Sequence, residues 1–239
     1  MTEGIGIMAH TLHSFDTGAA LATALAERVA AALNEAIAAS GAASLAVSGG
    51  STPKAFFEAL SQKALDWDKV SVTLVDERFV PEDNPRSNHL LVATHLLKNQ
   101  AAEAEFVPLY APEETIEAAA AVASDAVSDL GTPLDVVILG MGTDGHTASF
   151  FPGGDNLEDA LDLTLPPRVI TMQAPGAGEP RLTLSFSSLA DAGLLIVHIE
   201  GAEKKTVLDK ALAGTDETEM PVRAVLARAE TPVDIYWAP

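Results

Sequence analysis

The chain reads as an α/β protein, a single domain over residues 1–239 with a largely parallel, Rossmann-like sheet flanked by helices. Three observations predict this. Short apolar runs alternate with helical stretches along most of the 239 residues. One run, Asp135 to Leu139, is apolar almost throughout, as a strand covered on both faces must be. No repeat, low-complexity tract or linker-like shift in composition divides the chain.

The first element is an Ala-rich helix from about Thr17 to Ala39. Leu21, Leu25, Val29, Leu33 and Ile37 recur every four residues and lay an apolar stripe along one side. Asp16 is placed to cap its start and Gly41 to close its end. Ser44 to Ser48 is a short apolar strand running into Gly49 and Gly50. Thr52 and Pro53 then read as N-cap and first residue of a helix that continues through Lys54–Leu60. Val70–Val75 reads as a strand, Ser87–Leu97 as a helix, Phe106–Leu109 as a short strand, and Glu113–Leu130 as a helix with Pro112 near its start. Beyond the Asp135–Leu139 strand, Asp155–Pro167 is a loop or at most a short helix. Val169–Met172, Leu182–Phe186 and Leu194–Ile199 are further strands, Glu203–Leu212 a helix and Val233–Trp237 a closing strand.

Composition narrows the function. Thirty-four acidic against 14 basic side chains leave a formal charge of −20, which repels phosphate backbones and anionic lipid, so nucleic acid and membranes are not expected partners. Cysteine is absent, which removes disulfides, thiol nucleophiles and thiolate metal sites. No run reaches the roughly 18 apolar residues of a membrane span, and the N-terminal MTEGIGIMAH lacks the basic start and apolar core of a secretory leader. A cytoplasmic protein is expected, with monomer and homodimer both open.

In open parallel sheets ligands bind beyond the C-terminal ends of the strands, and four predicted ends carry unusual chemistry. Ser48-Gly49-Gly50-Ser51-Thr52-Pro53 combines close backbone approach, hydroxyls and a helix N-terminus. That suits a phosphate, although an ordinary capped turn has the same letters. Asp76-Glu77-Arg78 follows the next strand, and an arginine aimed into the crevice would supply positive charge. Gly140-Met-Gly-Thr-Asp144-Gly-His146-Thr147 formally matches Gly-x-Gly-x-x-Gly. It lies past mid-chain, however, and Pro152-Gly153-Gly154 denies it the long helix that a dinucleotide site needs, so nicotinamide and flavin are rejected. Its content is instead a carboxylate, Asp144, two residues from an imidazole, His146, that can act as a base near neutral pH. The fourth end is Gly201-Ala-Glu-Lys204-Lys205, where a first-turn lysine opposes the helix dipole unless an anion compensates it. Arg181 opens a strand and is a further cation of open direction. The histidine pairs His10/His13 and His89/His95 lack the zinc-helix spacing, so no metal is expected.

Together these segments resemble the glucosamine-6-phosphate isomerase/6-phosphogluconolactonase family, on its lactonase side. The matching pieces are Ser48–Pro53, Val75–Pro81 with Ser87-Asn88, Gly140–Ser149 with Phe151-Pro152, Arg181-Leu-Thr-Leu, and Gly201-x-x-Lys204. They fall in the family order over roughly residues 44–212. The resemblance implies a deaminase-like fold and cofactor-free hydrolysis of 6-phospho-D-glucono-1,5-lactone to 6-phosphogluconate in the pentose phosphate pathway. It implies His146 as general base, Asp144 holding its ring, and the sugar phosphate near Gly49, Gly50, Ser51 and Thr52 with Arg78, Arg181 and Lys204. Asp76 would meet sugar hydroxyls in the same crevice. The sister deaminases typically carry an aromatic residue where Arg78 stands and Ile-Ala-Phe-Asn-Glu after the histidine, so Arg78 and Thr147–Pro152 favour the lactonase. A non-catalytic sugar-phosphate sensor would need a basic helix-turn-helix that has no counterpart here. The loop after Pro152 and the chain end are less diagnostic, and Lys205 competes with Lys204.

Overall fold

A computed structural model of the chain describes residues 10–239. The stretch 1–9, on which the expectation about a secretory leader rests, lies outside them. The main sheet has seven strands in the order β1-β10-β9-β6-β2-β3-β5, every neighbouring pair parallel. They span β1 His10–Ser14, β2 Ala43–Val47, β3 Val70–Leu74, β5 Glu105–Val107, β6 Val136–Leu139, β9 Leu194–Glu200 and β10 Val233–Ala238. Five consecutive residues of β2 and all four of β6 are buried, which is what apolar side chains on both faces of a covered sheet require.

The helices are α1 Gly18–Ser40, α2 Lys54–Ser61, α3 Asn88–His95, α4 Ile116–Ser128, α5 Leu157–Leu161, α6 Ala202–Leu212 and α7 Val222–Arg228. On α1, Leu21, Leu25, Val29 and Leu33 are buried together with Ala22, Ala26 and Ala30. The small residues between the large ones let the helix lie close on the sheet, where it packs over β2 and β10 and beside α2. Each fully buried leucine contributes about 1.5–3 kcal/mol of transfer free energy. The N-cap is Thr17 rather than Asp16. The Thr17 hydroxyl accepts from the Ala20 N–H at 3.1 Å, and Gly41 closes the helix as expected, donating to Ile37 O. At α2 the expected Thr52 cap and Pro53 first position shift by one. Pro53 is the flanking residue and no side chain caps the helix, so its first amides stay open toward the crevice described below.

Three strands depart from a wholly parallel plan. β4, Asp76–Arg78, is a strand where the sequence shows only three charges at the end of the preceding strand. With β8 Arg181–Leu184 and β7 Val169–Met172 it forms an antiparallel three-stranded sheet in the order β4-β8-β7. Val75 links the two sheets: its N–H donates to Val47 O in the main sheet, and its carbonyl accepts from Leu184 N–H in the small one. The chain therefore leaves β3 and turns directly over the C-terminal end of the main sheet. The Asp155–Pro167 stretch holds only the five-residue α5, as expected.

The order of the main sheet sets the place of the site. From β2 the chain crosses to β3 on one side, and from β6 it crosses to β9 on the other. The connections diverge between β2 and β6, leaving a gap above their C-terminal ends where a ligand fits.

Candidate active site

A crevice of about 250 Å³ opens at that divergence. The residues after β2 form one wall: Gly49, Gly50, Ser51 and Thr52 line it, with the uncapped start of α2 behind them. Gly50 has φ +91, in the left-handed region that glycine adopts without strain. Gly49 has no room for a side chain, since a Cβ there would lie 1.9 Å from Asn88 Oδ1. Asn88 donates from Nδ2 to Asp76 O at 2.8 Å and so ties this loop to β4.

The residues after β6 form the floor. The turn closes on itself: Gly142 N–H donates to His146 O at 2.8 Å, Gly145 N–H to Gly142 O at 3.2 Å, and the Thr147 hydroxyl to Gly140 O at 2.7 Å. His146 lines the crevice, and its Nδ1 lies 2.6 Å from Asp144 Oδ1, which also accepts the His146 backbone N–H at 3.1 Å. Burial alone would raise the Asp144 carboxyl. The hydrogen bond and charge of His146, with backbone N–H groups, outweigh it and hold the carboxyl down to about 2. An ionised carboxylate can only accept, so Nδ1 carries the proton and Nε2 is left with its lone pair. Phe151 packs against the imidazole with ring centroids 4.3 Å apart.

The small sheet supplies the third wall. Arg78 and Arg181 stand directly opposite each other across β4 and β8, and both line the crevice with Asp76. Like charges facing each other across a ladder are unfavourable without an anion nearby. Arg78 donates to Arg86 O, while its buried Nε has no acceptor among the described residues. Asp76 accepts from the Ser149 hydroxyl at 2.5 Å and lies 3.6 Å from Arg181. Lys204, in the first turn of α6, lines the remaining side and donates to Met141 O at 2.7 Å. Lys205 turns away to Asp209 at 2.5 Å, so of the two lysines Lys204 is the one at the crevice. Burial lowers the Lys204 ammonium, against the pull of Asp144 and Glu203.

Of the residues that the resemblance assigns to the site, all line the crevice except Asp144, which is hydrogen-bonded to His146. Sequence reasoning missed Asn88 as a crevice residue, although the Ser87-Asn88 pair belongs to the resemblance, and missed Ser149 and His198. His198 is buried on β9, pairs with Glu200 at 3.1 Å and lines the crevice. A histidine inside the otherwise apolar run Leu194–Ile199 is the signal that could have found it.

A parallel sheet whose divergence point holds an imidazole hydrogen-bonded to a carboxylate, with two arginines and a lysine lining the same crevice, has the chemistry to hold an anionic small molecule and move a proton beside it. The chain belongs to the family of glucosamine-6-phosphate isomerases/6-phosphogluconolactonase, whose model matches residues 16–237. A protein of Rhizobium meliloti named 6-phosphogluconolactonase is 67% identical over 232 residues, covering 97% of this chain and all of that one. The crystal structure of a 6-phosphogluconolactonase from Shewanella baltica superposes with a TM-score of 0.93 at 43% identity, over 98% of this chain and 100% of that one. A monomeric glucosamine-6-phosphate deaminase shares the fold, with a TM-score of 0.78 at 18% identity over 95% of this chain and 97% of that one.

Proposed function

We propose that the chain hydrolyses 6-phospho-D-glucono-1,5-lactone to 6-phosphogluconate, as a carboxylic ester hydrolase of the pentose phosphate pathway acting in the cytoplasm. The observation that carries this is the convergence of His146, whose Nε2 makes no hydrogen bond among the described residues, and the Gly49–Thr52 loop, Arg78 and Lys204 on one crevice. The closely similar relatives named for this activity support the substrate. The chain acts as one catalytic unit, since a continuous apolar core joins both sheets.

In this reading the phosphate is held by the open amides of α2, the Ser51 and Thr52 hydroxyls and the guanidinium of Arg78. His146 Nε2 takes a proton from a water molecule as that water attacks the lactone carbonyl, and Asp144 stabilises the imidazolium that forms. The tetrahedral oxyanion develops beside the cationic walls. When the bond between the carbonyl carbon and the ring oxygen breaks, the imidazolium returns its proton to that oxygen, which becomes the hydroxyl of the open chain. The new carboxyl group then ionises in water. Asp76, fixed by Ser149, accepts from sugar hydroxyls.

The purified chain is expected to accelerate hydrolysis of the phosphorylated lactone well beyond its spontaneous rate and to release no ammonia from glucosamine 6-phosphate. His146→Ala should lower kcat by about 10²–10⁴ with KM little changed. Arg78→Ala should raise KM for the phosphorylated lactone and leave unphosphorylated gluconolactone nearly unaffected. Near-full activity of the His146 variant would overturn the assignment of the base.

A further inference from the structure

The cations of the crevice are not equivalent. Arg78 and Lys204 each give one side-chain hydrogen bond to the protein, whereas Arg181 gives two, faces a carboxylate and is almost wholly buried. Its side chain is 8% exposed. One terminal nitrogen donates to Ala177 O at 2.6 Å and Nε donates to Glu179 O at 3.3 Å, both on the segment that leads into β8. The other terminal nitrogen faces Asp76 Oδ2 at 3.6 Å. The guanidinium carbon lies 5.3 Å from the centre of the Phe151 ring, and that ring is the one packed on His146.

From this geometry we infer that Arg181 is a positioning residue for the hydrolysis rather than a phosphate ligand: it holds Asp76 and Phe151, and through Phe151 the imidazole of His146. The guanidinium suits this task because it is planar. It can lie against an aromatic face while its edge bonds two carbonyls and faces a carboxylate as an ion pair, which an ammonium cannot do. The contacts form a chain from Asp76 through Arg181 and Phe151 to His146, so one side chain sets both the acceptor for sugar hydroxyls and the ring that moves the proton. Misplacing a reacting group by about 1 Å costs on the order of 10²-fold in rate.

The inference rests on the lactonase reading, and the test separates the two. Arg181→Met and Arg181→Lys are compared with the parent on 6-phosphogluconolactone and on unphosphorylated gluconolactone. A positioning residue predicts a fall in kcat of about 10- to 100-fold on both substrates, with KM for the phosphorylated one within about threefold of the parent and no rescue by lysine. A phosphate ligand predicts a rise in KM confined to the phosphorylated lactone, and that result would overturn the inference. A purely structural arginine would lower the melting temperature and leave kcat of the folded enzyme intact, which overturns it equally. In a double-mutant cycle with Phe151→Leu the losses in kcat should be non-additive. A last measurement needs no turnover. The Cε1–H resonance of His146 is shifted by the ring current of Phe151, and in Arg181→Met that resonance should move. An unmoved resonance would refute the chain of contacts, whereas a parent enzyme inactive on lactones with a resonance that moves would refute only the lactonase reading.

Discussion

At the scale of single residues, one of the tightest constraints in the site falls on a residue with no side chain. A Cβ on Gly142 would stand 2.1 Å from His146 Nδ1 and 2.5 Å from Asp144 Oδ1, between the two atoms that must meet. Gly142→Ala is therefore expected to force the pair apart and cost about 10²-fold or more in kcat, while circular dichroism and the melting temperature change little. Retention of parental kcat would mean the pair is not needed. Asp144→Asn probes the same contact by charge. Because the Asp144 carboxyl is held at about 2, it is ionised at every pH above about 4, and the stability it adds is lost only as pH falls through that low value. Nearly half of the side chain is exposed, so that stability is under about 1 kcal/mol. Its effect should appear in rate instead, a loss of about 10²–10⁴ in kcat at all pH values above about 4, checked by a pH–rate profile. Asp144 and His146 were legible in the sequence because they are two residues apart in one turn. Ser149 was not legible as the partner of Asp76, since 73 residues separate them and a hydroxyl bond leaves no local pattern.

At the scale of elements, the strands that stay in the main sheet and the long helices were legible because period and capping are local properties. The exceptions share a cause. β1, His-Thr-Leu-His-Ser, is a mostly exposed edge strand with no apolar alternation to reveal it. α7 is only seven residues long, and Arg223 is buried in it beside Val222, Ala224, Val225 and Leu226, so it carries no clear amphipathic signature. β4 is three residues of charge, and becomes a strand only because β8 arrives from about a hundred residues away. What anchors β4 is Glu77, fully buried, which accepts the Arg78 N–H at 2.7 Å, the Asn88 and His89 N–H groups at 2.8 Å and the Ser87 hydroxyl at 2.9 Å. It thereby joins β4 to the start of α3. Burial raises its carboxyl, against the four bonds that lower it. Its contribution to stability is thus fullest below the usual glutamate range and declines as pH rises through its folded value. Glu77→Gln removes that pH trend but turns an amide N–H₂ toward a set of partners of which three, the backbone N–H groups, can only donate. A loss of about 2–4 kcal/mol at pH 7 is expected in urea unfolding. An unchanged midpoint would show that Glu77 is protonated in the fold and that an amide serves as well.

At the scale of the whole molecule, the charge of −20 and the cations of the crevice act on an anionic ligand at different distances. The charge was legible from composition, but the crevice was legible only as a list of strand ends, because no sequence rule says which cations converge. At about 0.01 M salt the screening length is about 30 Å, so an approaching phosphate feels the repulsion of most of the protein. At about 0.15 M it is about 8 Å, and only the crevice walls are felt. Added salt in this range should therefore raise kcat/KM for the phosphorylated lactone, by removing long-range repulsion faster than it weakens contacts made at hydrogen-bond distance. Unphosphorylated gluconolactone, with no charge to repel, should show a flat profile and serves as the control. Arg78→Ala should keep the rising slope at a lower absolute kcat/KM, since the repulsion belongs to the surface and the affinity to the pocket. A fall in kcat/KM with salt for the parent would mean that Arg78, Arg181 and Lys204 attract the substrate from beyond the crevice mouth. The acidic surface would then have to be arranged to leave that approach open.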